Sequence, residues 1–116
     1  MNIEELRQYC LSKKYVTEDN PFDETTLAFR VKDKIFALTS VDNHPPFVNL
    51  KCDPELAVEF RELYDDVKPG YHMNKRHWNT VSIMGSIPDK EIKTMIDHSY
   101  DLIVKSLSKK SRDEMN

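Results

Sequence analysis

The sequence predicts an α+β domain, one sheet of mainly antiparallel strands with helices laid against it. Three observations carry that class. Runs with period-two alternation stand close together at 27–31, 35–39 and 47–52, as half-buried strands do. Apolar residues at helical spacing follow start signals at Asn2, Asp53 and Pro88, where capping chemistry opens helices. A chain of 116 residues has the size of one domain, and no repeat, low-complexity tract or linker divides it. Residues 1–116 are therefore read as a single domain.

In chain order, Asn2 caps a first helix and Glu5 completes a capping-box pattern. Ile3, Leu6 and Cys10 share its inner face, and it should end near Lys13-Lys14, where cations suit the last carbonyls. Glu18 to Glu24 reads as a polar, acidic connection containing the Asn20-Pro21 turn. Leu27, Phe29 and Val31 then point one way, and Ala28 and Arg30 the other. Lys32-Asp33-Lys34 breaks the run, and Ile35 to Thr39 resumes it, so the two pair most simply as an antiparallel hairpin. The second strand is apolar on both faces and belongs inside the sheet. After a turn at Asp42 to Pro46, Phe47 to Cys52 makes a third strand with Val48, Leu50 and Cys52 on one face.

Asp53-Pro54 marks the next helix, with Asp as N-cap and Pro at the first helical position. Leu56, Phe60, Leu63 and Tyr64 give it an apolar stripe, with Ala57 beside it. Val67-Lys68 leads to Pro69-Gly70, which suits the middle of a type II turn. Thr80 to Met84 alternates again, and Gly85 ends it. Pro88-Asp89 opens the last helix, along which Ile92, Met95, Ile96, Ser99, Ile103 and Leu107 recur. Residues 108–116 form a polar tail expected to fray.

Composition sets broad limits. Charged residues are 32% and apolar residues 39% of the chain, as in folded proteins and unlike disordered ones. A net charge of −3 gives no global attraction to nucleic acid or anionic lipid, so polyanion binding requires a local basic patch. Cys10 and Cys52 are too few for a disulfide framework and read as reduced, buried thiols. The N-terminus lacks the pattern of a secretion signal, and no apolar run reaches the roughly 20 residues of a membrane span. A cytoplasmic protein without membrane association is the expectation.

The stretch from Pro69 to Val81 stands apart. It holds one of two glycines, the only tryptophan and two of four histidines. From Val67 to Pro88 there is no Asp or Glu. Such an acid-free run inside an acidic protein is an electrostatic footprint for a polyanion. Lys68, Lys75 and Arg76 suit phosphates, and His72 adds charge when protonated. Tyr71 and Trp78 suit stacking, and Asn74 suits a base edge or the sugar-phosphate backbone. His77 completes the candidate set in the loop 68–79. The structural alternative gives Trp78 and His77 to the core and the loop backbone. A groove beside the loop, taking a protein partner or small ligand, uses the same residues.

Catalytic and metal chemistry find little footing. His72 and His77 are five apart, with His44 and His98 elsewhere, and neither H-E-x-x-H nor C-x-x-C occurs. Cys52 precedes a helix N-terminus, yet no residue pattern names its base. G-x-S-x-G, P-loop and G-x-G-x-x-G motifs are missing. The expectation is a non-enzyme with no metal and no cofactor.

The run from Gly70 to Val81 closely resembles the signature of the MmcQ/YjbR family of small bacterial proteins. Asn20-Pro21-Phe22-Asp23, Lys34 to Leu38, Leu50 to Glu55, Ile87-Pro88-Asp89 with Ile92, and Ser99-Tyr100 resemble the same family's pattern in order. The resemblance implies a two-layer α+β sandwich of the frataxin/CyaY type, an antiparallel sheet backed by helices. It also implies a proposed double-wing motif and a DNA-binding or regulatory role. The family's signature positions fall here on His72, Asn74, Lys75, His77, Trp78 and Thr80. Asp33 departs from the glycine common in the family at that hairpin tip. The acidic cluster of an iron-binding frataxin is thin, with Glu4 and Glu5 on the first helix and Glu18 and Asp19 outside it. The leading expectation is contact with DNA phosphates through Lys68, Lys75 and Arg76, salt-sensitive, with Asn74 and Tyr71 supporting. The alternative is a protein- or small-ligand-binding adaptor in which the loop chiefly determines the fold.

Overall fold

The computed structural model describes residues 1–115. The chain runs α1 (Ile3–Leu11), β1 (Val16–Asp19), β2 (Thr26–Val31), β3 (Lys34–Ser40), β4 (Phe47–Lys51), α2 (Pro54–Leu63), β5 (Val67–Pro69), β6 (Trp78–Ser82), α3 (Asp89–Ser106) and α4 (Lys109–Asp113). The strands form one six-stranded sheet in the order β1-β2-β3-β4-β6-β5, antiparallel at every pairing. No described helix is long and apolar enough to cross a membrane.

One face of the sheet carries the helices. Phe29 lies opposite Ala37, Ala37 opposite Leu50, and Val48 opposite Val81, which pairs in turn with Val67. All six are buried, and they join Leu6, Ile92 and Ile96 in a single core. α3 crosses β2, β3 and β4, while α1 lies on β1 and α2 on β5 and β6. The opposite face has its own row, Ala28, Leu38, Asn49, Thr80 and Lys68, each across from the next. No helix covers it.

A bulge adjusts the helix face. Phe29 pairs with Ala37 and Arg30 with Ile35, leaving Phe36 as the extra residue of β3. Phe36 and Ala37 are therefore both buried, as the two-against-one count of a bulge allows. The Phe36 carbonyl accepts from Ser99 Oγ, which also accepts from Lys51 N at 2.9 Å. The Phe36 ring meets Tyr100 edge-on at 5.4 Å.

The α+β class, the hairpin and the caps expected from sequence are present. Asn2 and Glu5 form the capping box, and Asp53 accepts from Glu55 N and Leu56 N. Several expectations need correction. The acidic stretch read as a connection from Glu18 to Glu24 begins inside β1, whose Glu18 is bound by Arg7 of α1. Val67-Lys68-Pro69 is the edge strand β5. In α2 Ala57 is the buried residue while Leu63 is 68% exposed, because only a small side chain lets the helix approach β6 closely. α1 ends at Leu11, before the two lysines. Within the tail expected to fray, Lys109–Asp113 is helical and capped by Ser108; Asn116 lies outside the described residues.

Candidate functional site

Two loops rise beside the helix-free face and enclose a groove of about 590 Å³. The β1–β2 loop supplies Phe22 and Asp23, and the β5–β6 loop supplies Tyr71, His72 and Met73. Ile35 and Leu38 of β3, Phe47 and Asn49 of β4 and Trp78 of β6 make the floor. Asp23 shapes one wall: its carboxylate accepts from Thr25 N and Thr26 N. These bonds, with the threonine hydroxyls, hold it below the usual carboxylate range. The described lining includes no lysine or arginine.

The β5–β6 loop is fixed from several sides. Gly70 N donates to Trp78 O at 2.8 Å, and a Cβ on Gly70 would stand 2.8 Å from Trp78 Cβ. Gly70 has no positive φ, so the expected type II turn does not form and glycine serves close approach instead. His72 does hold a positive φ of 59°, an uncommon conformation for a residue with a side chain. Its ring lies 4.0 Å from that of Tyr71, tilted by 51°. Asn74 Oδ1 accepts from Arg76 N and His77 N, a local turn that occupies the oxygen expected to meet nucleic acid. Tyr71 N donates to Thr80 Oγ1, which bonds Asn49 Oδ1 on the groove floor.

Arg61 of α2 is the anchor that sequence reasoning missed. Its Nε donates to Asn79 Oδ1 at 2.7 Å, and its Nη2 donates to the Lys75 carbonyl. Asn79 Nδ2 in turn donates to Ala57 O. The floor residue Asn49 was also missed. Its signal was a lone polar residue in the apolar run Phe47-Val48-Asn49-Leu50.

The candidate residues divide between two sides of the loop. Tyr71, His72 and Trp78 line the groove. Lys75 and Arg76 line a separate hollow beside Pro54, Glu55 and Val58 of α2, and Lys75 Nζ bends back to Gly70 O at 3.2 Å. Lys68 stands on edge strand β5 opposite Thr80. Asn74 and His77 are occupied with the turn, and the His77 carbonyl accepts from Cys52 N at 2.8 Å. Among the described residues, Lys68, Lys75 and Arg76 form no ion pair, and no group of three metal-ligating side chains occurs. Burial pushes the Cys52 thiol up to about 11, with Asp53 adding to it.

The sequence and the overall fold have counterparts in known proteins. The model of the family described as YjbR matches residues 11–102. The chain belongs to the YjbR family. The YjbR protein of Escherichia coli K12 is 38% identical over 112 residues, spanning 97% of this chain and 95% of the relative. YbdF of Escherichia coli O157:H7 is 34% identical over 94% of this chain and 89% of its own length. Among solved structures, a Deinococcus radiodurans protein with the DUF419 domain superposes with a TM-score of 0.92 at 35% identity, covering 98% of this chain and 87% of that one. A Pseudomonas syringae protein reaches 0.77 at 30% identity over 88% of this chain and 98% of its own. The YjbR match contains the groove floor, both of its walls and the whole loop from Gly70 to His77.

Proposed function

We propose that this YjbR-family domain is a non-catalytic binding module that holds a small, largely apolar ligand in the groove between its two loops. One observation carries the reading: about 590 Å³ of concave space, walled by aromatic and aliphatic side chains, on the sheet face that no helix covers. Ligand sites have this size and this mix of apolar walls with a few polar groups. Binding is favoured over catalysis because the one thiol beside a helix N-terminus is pushed up to about 11 and stays protonated near neutrality. Two unpaired, buried cysteines suit a reducing cytoplasm.

Trp78 is the only tryptophan, so its fluorescence reports directly on the groove. The neutral apolar dye N-phenyl-1-naphthylamine should bind with energy transfer from Trp78. Tyr71→Ala, which trims an exposed wall residue, should weaken binding by a few-fold while the protein stays folded. Failure of the dye to bind, or equal affinity in a folded Tyr71→Ala, overturns the reading.

A second reading, contact with DNA phosphates, is favoured by the absence of ion pairs at Lys68, Lys75 and Arg76 among the described residues. Labelled duplex and single-stranded DNA titrated at low and moderate salt test it. Lys75→Ala/Arg76→Ala should flatten the salt slope by roughly one unit per cation removed. No binding at low salt, or an unchanged slope in the double variant, ends this reading.

A further inference from the structure

Resting on the groove reading, we infer that the ligand is a planar ring system without anionic groups, carrying carbonyl-type hydrogen-bond acceptors. The first support is Asn49, only 7% exposed on the groove floor. Its Oδ1 is bonded by the Thr80 hydroxyl, and that hydroxyl accepts from Tyr71 N. The relay directs the Asn49 oxygen toward β6 and leaves its amide N–H groups without a protein acceptor among the described residues. The indole N–H of Trp78 likewise meets no acceptor among the described residues. Since no described buried side-chain nitrogen or oxygen lacks a partner, both donors must open to solvent-accessible space, and both residues line the groove.

The register sets how one ligand meets both donors. Asn49 lies opposite Thr80, and Trp78 precedes Thr80 by two on the same face of β6. Asn49 and Trp78 are therefore diagonal neighbours, about 7–8 Å apart, within the span of a two- or three-ring compound. A ligand lying between them must bring acceptors, because a donor buried by the ligand and left unpaired opposes binding.

Charge and shape narrow the class. With no lysine or arginine in the described lining, an anionic group would lose its hydration without a countercharge. The carboxylate of Asp23, held ionised by Thr25 N and Thr26 N, adds a negative charge to the wall and argues further against an anion. Phe47, Trp78, Tyr71 and His72 give the lining four aromatic rings, and aromatic rings favour ring partners, stacked or edge-on.

Lumiflavin, a neutral tricyclic ring with two carbonyls, is the acceptor-bearing probe, and N-phenyl-1-naphthylamine is the acceptor-poor one. In nitrogen-15 NMR, lumiflavin should move the Trp78 indole and Asn49 side-chain amide signals, and it should displace the dye. Asn49→Asp replaces the donor by an acceptor, and Trp78→Phe removes the indole N–H. Each should weaken lumiflavin about tenfold or more, a larger loss than it causes for the dye, whose binding is read from the dye's own emission. If the dye binds and lumiflavin does not, or if both folded variants bind lumiflavin as wild type does, the acceptor-bearing ring is overturned and the groove reading stands. If neither probe binds, both fall.

Discussion

Arg61 does at the residue scale what the sequence assigned to no side chain. Its guanidinium joins α2 to Asn79 Oδ1 and to the Lys75 and Trp78 carbonyls, so one cation holds both ends of the loop tip. Asn79 is only 2% exposed, and without Arg61 its oxygen is left buried and unpaired. Arg61→Met should therefore destabilise the fold by about 1–3 kcal/mol, read as a shift in the denaturant midpoint, and should loosen the loop. An unchanged midpoint would mean that water replaces the guanidinium at no cost. The same loop shows what single residues disclose in a sequence. The unusual composition of Pro69 to Val81 was visible, as was the resemblance built on it. The work of each side chain was not. Asn74 closes a turn and Lys75 caps a carbonyl of its own loop, and both facts depend on backbone positions that no spacing rule supplies.

At the scale of elements, strands and helices with strong alternation or strong caps were legible, and the two sheet edges were not. β1 places Glu18 on the helix face, paired with Arg7, and β5 is three residues long and ends in proline. Charge, brevity and proline are the devices that keep edge strands from pairing with other chains, and they also erase the alternation by which strands are recognised. The head of β5 is tied down at Asp66. Its carboxylate accepts from Ser86 N at 2.7 Å and Ser86 Oγ at 2.8 Å, and a Cβ on Gly85 would stand 2.3 Å from Asp66 Oδ2. The Ser86 backbone and side-chain bonds hold this carboxyl below the usual carboxylate range, with Lys68 assisting. A depressed folded value means stability that is present above the unfolded pKa, about 3.9, and lost as pH falls through the lower folded value. The denaturant midpoint of the wild type should thus fall more steeply on acidification below about pH 4 than that of Asp66→Asn. Parallel pH profiles would show that the Ser86 contacts contribute nothing in solution.

For the molecule as a whole, period and caps disclosed one sheet and its helix layer but not which sheet face stays uncovered. Ala28, Leu38 and Phe47 are as apolar as the residues beneath α3, so alternation alone gives the faces equal claims. Only the chain path, which sends α1, α2 and α3 to one side, leaves the other open as a groove. That asymmetry also separates the two halves of the signature loop. Tyr71, His72 and Trp78 turn to the groove, while Lys75 and Arg76 turn to α2. Phosphate contacts through those cations would leave the groove open, and a groove ligand would leave the cations free. Saturating N-phenyl-1-naphthylamine should therefore leave any low-salt affinity for labelled duplex DNA unchanged in fluorescence anisotropy. Lys75→Ala/Arg76→Ala should reduce that affinity and spare the dye. Competition between dye and DNA would instead mean that the nucleic acid crosses the open sheet face, stacking on Trp78 and Tyr71 as single strands do on exposed aromatic platforms. The cations would then act at a distance, and the two sides of the loop would form one surface.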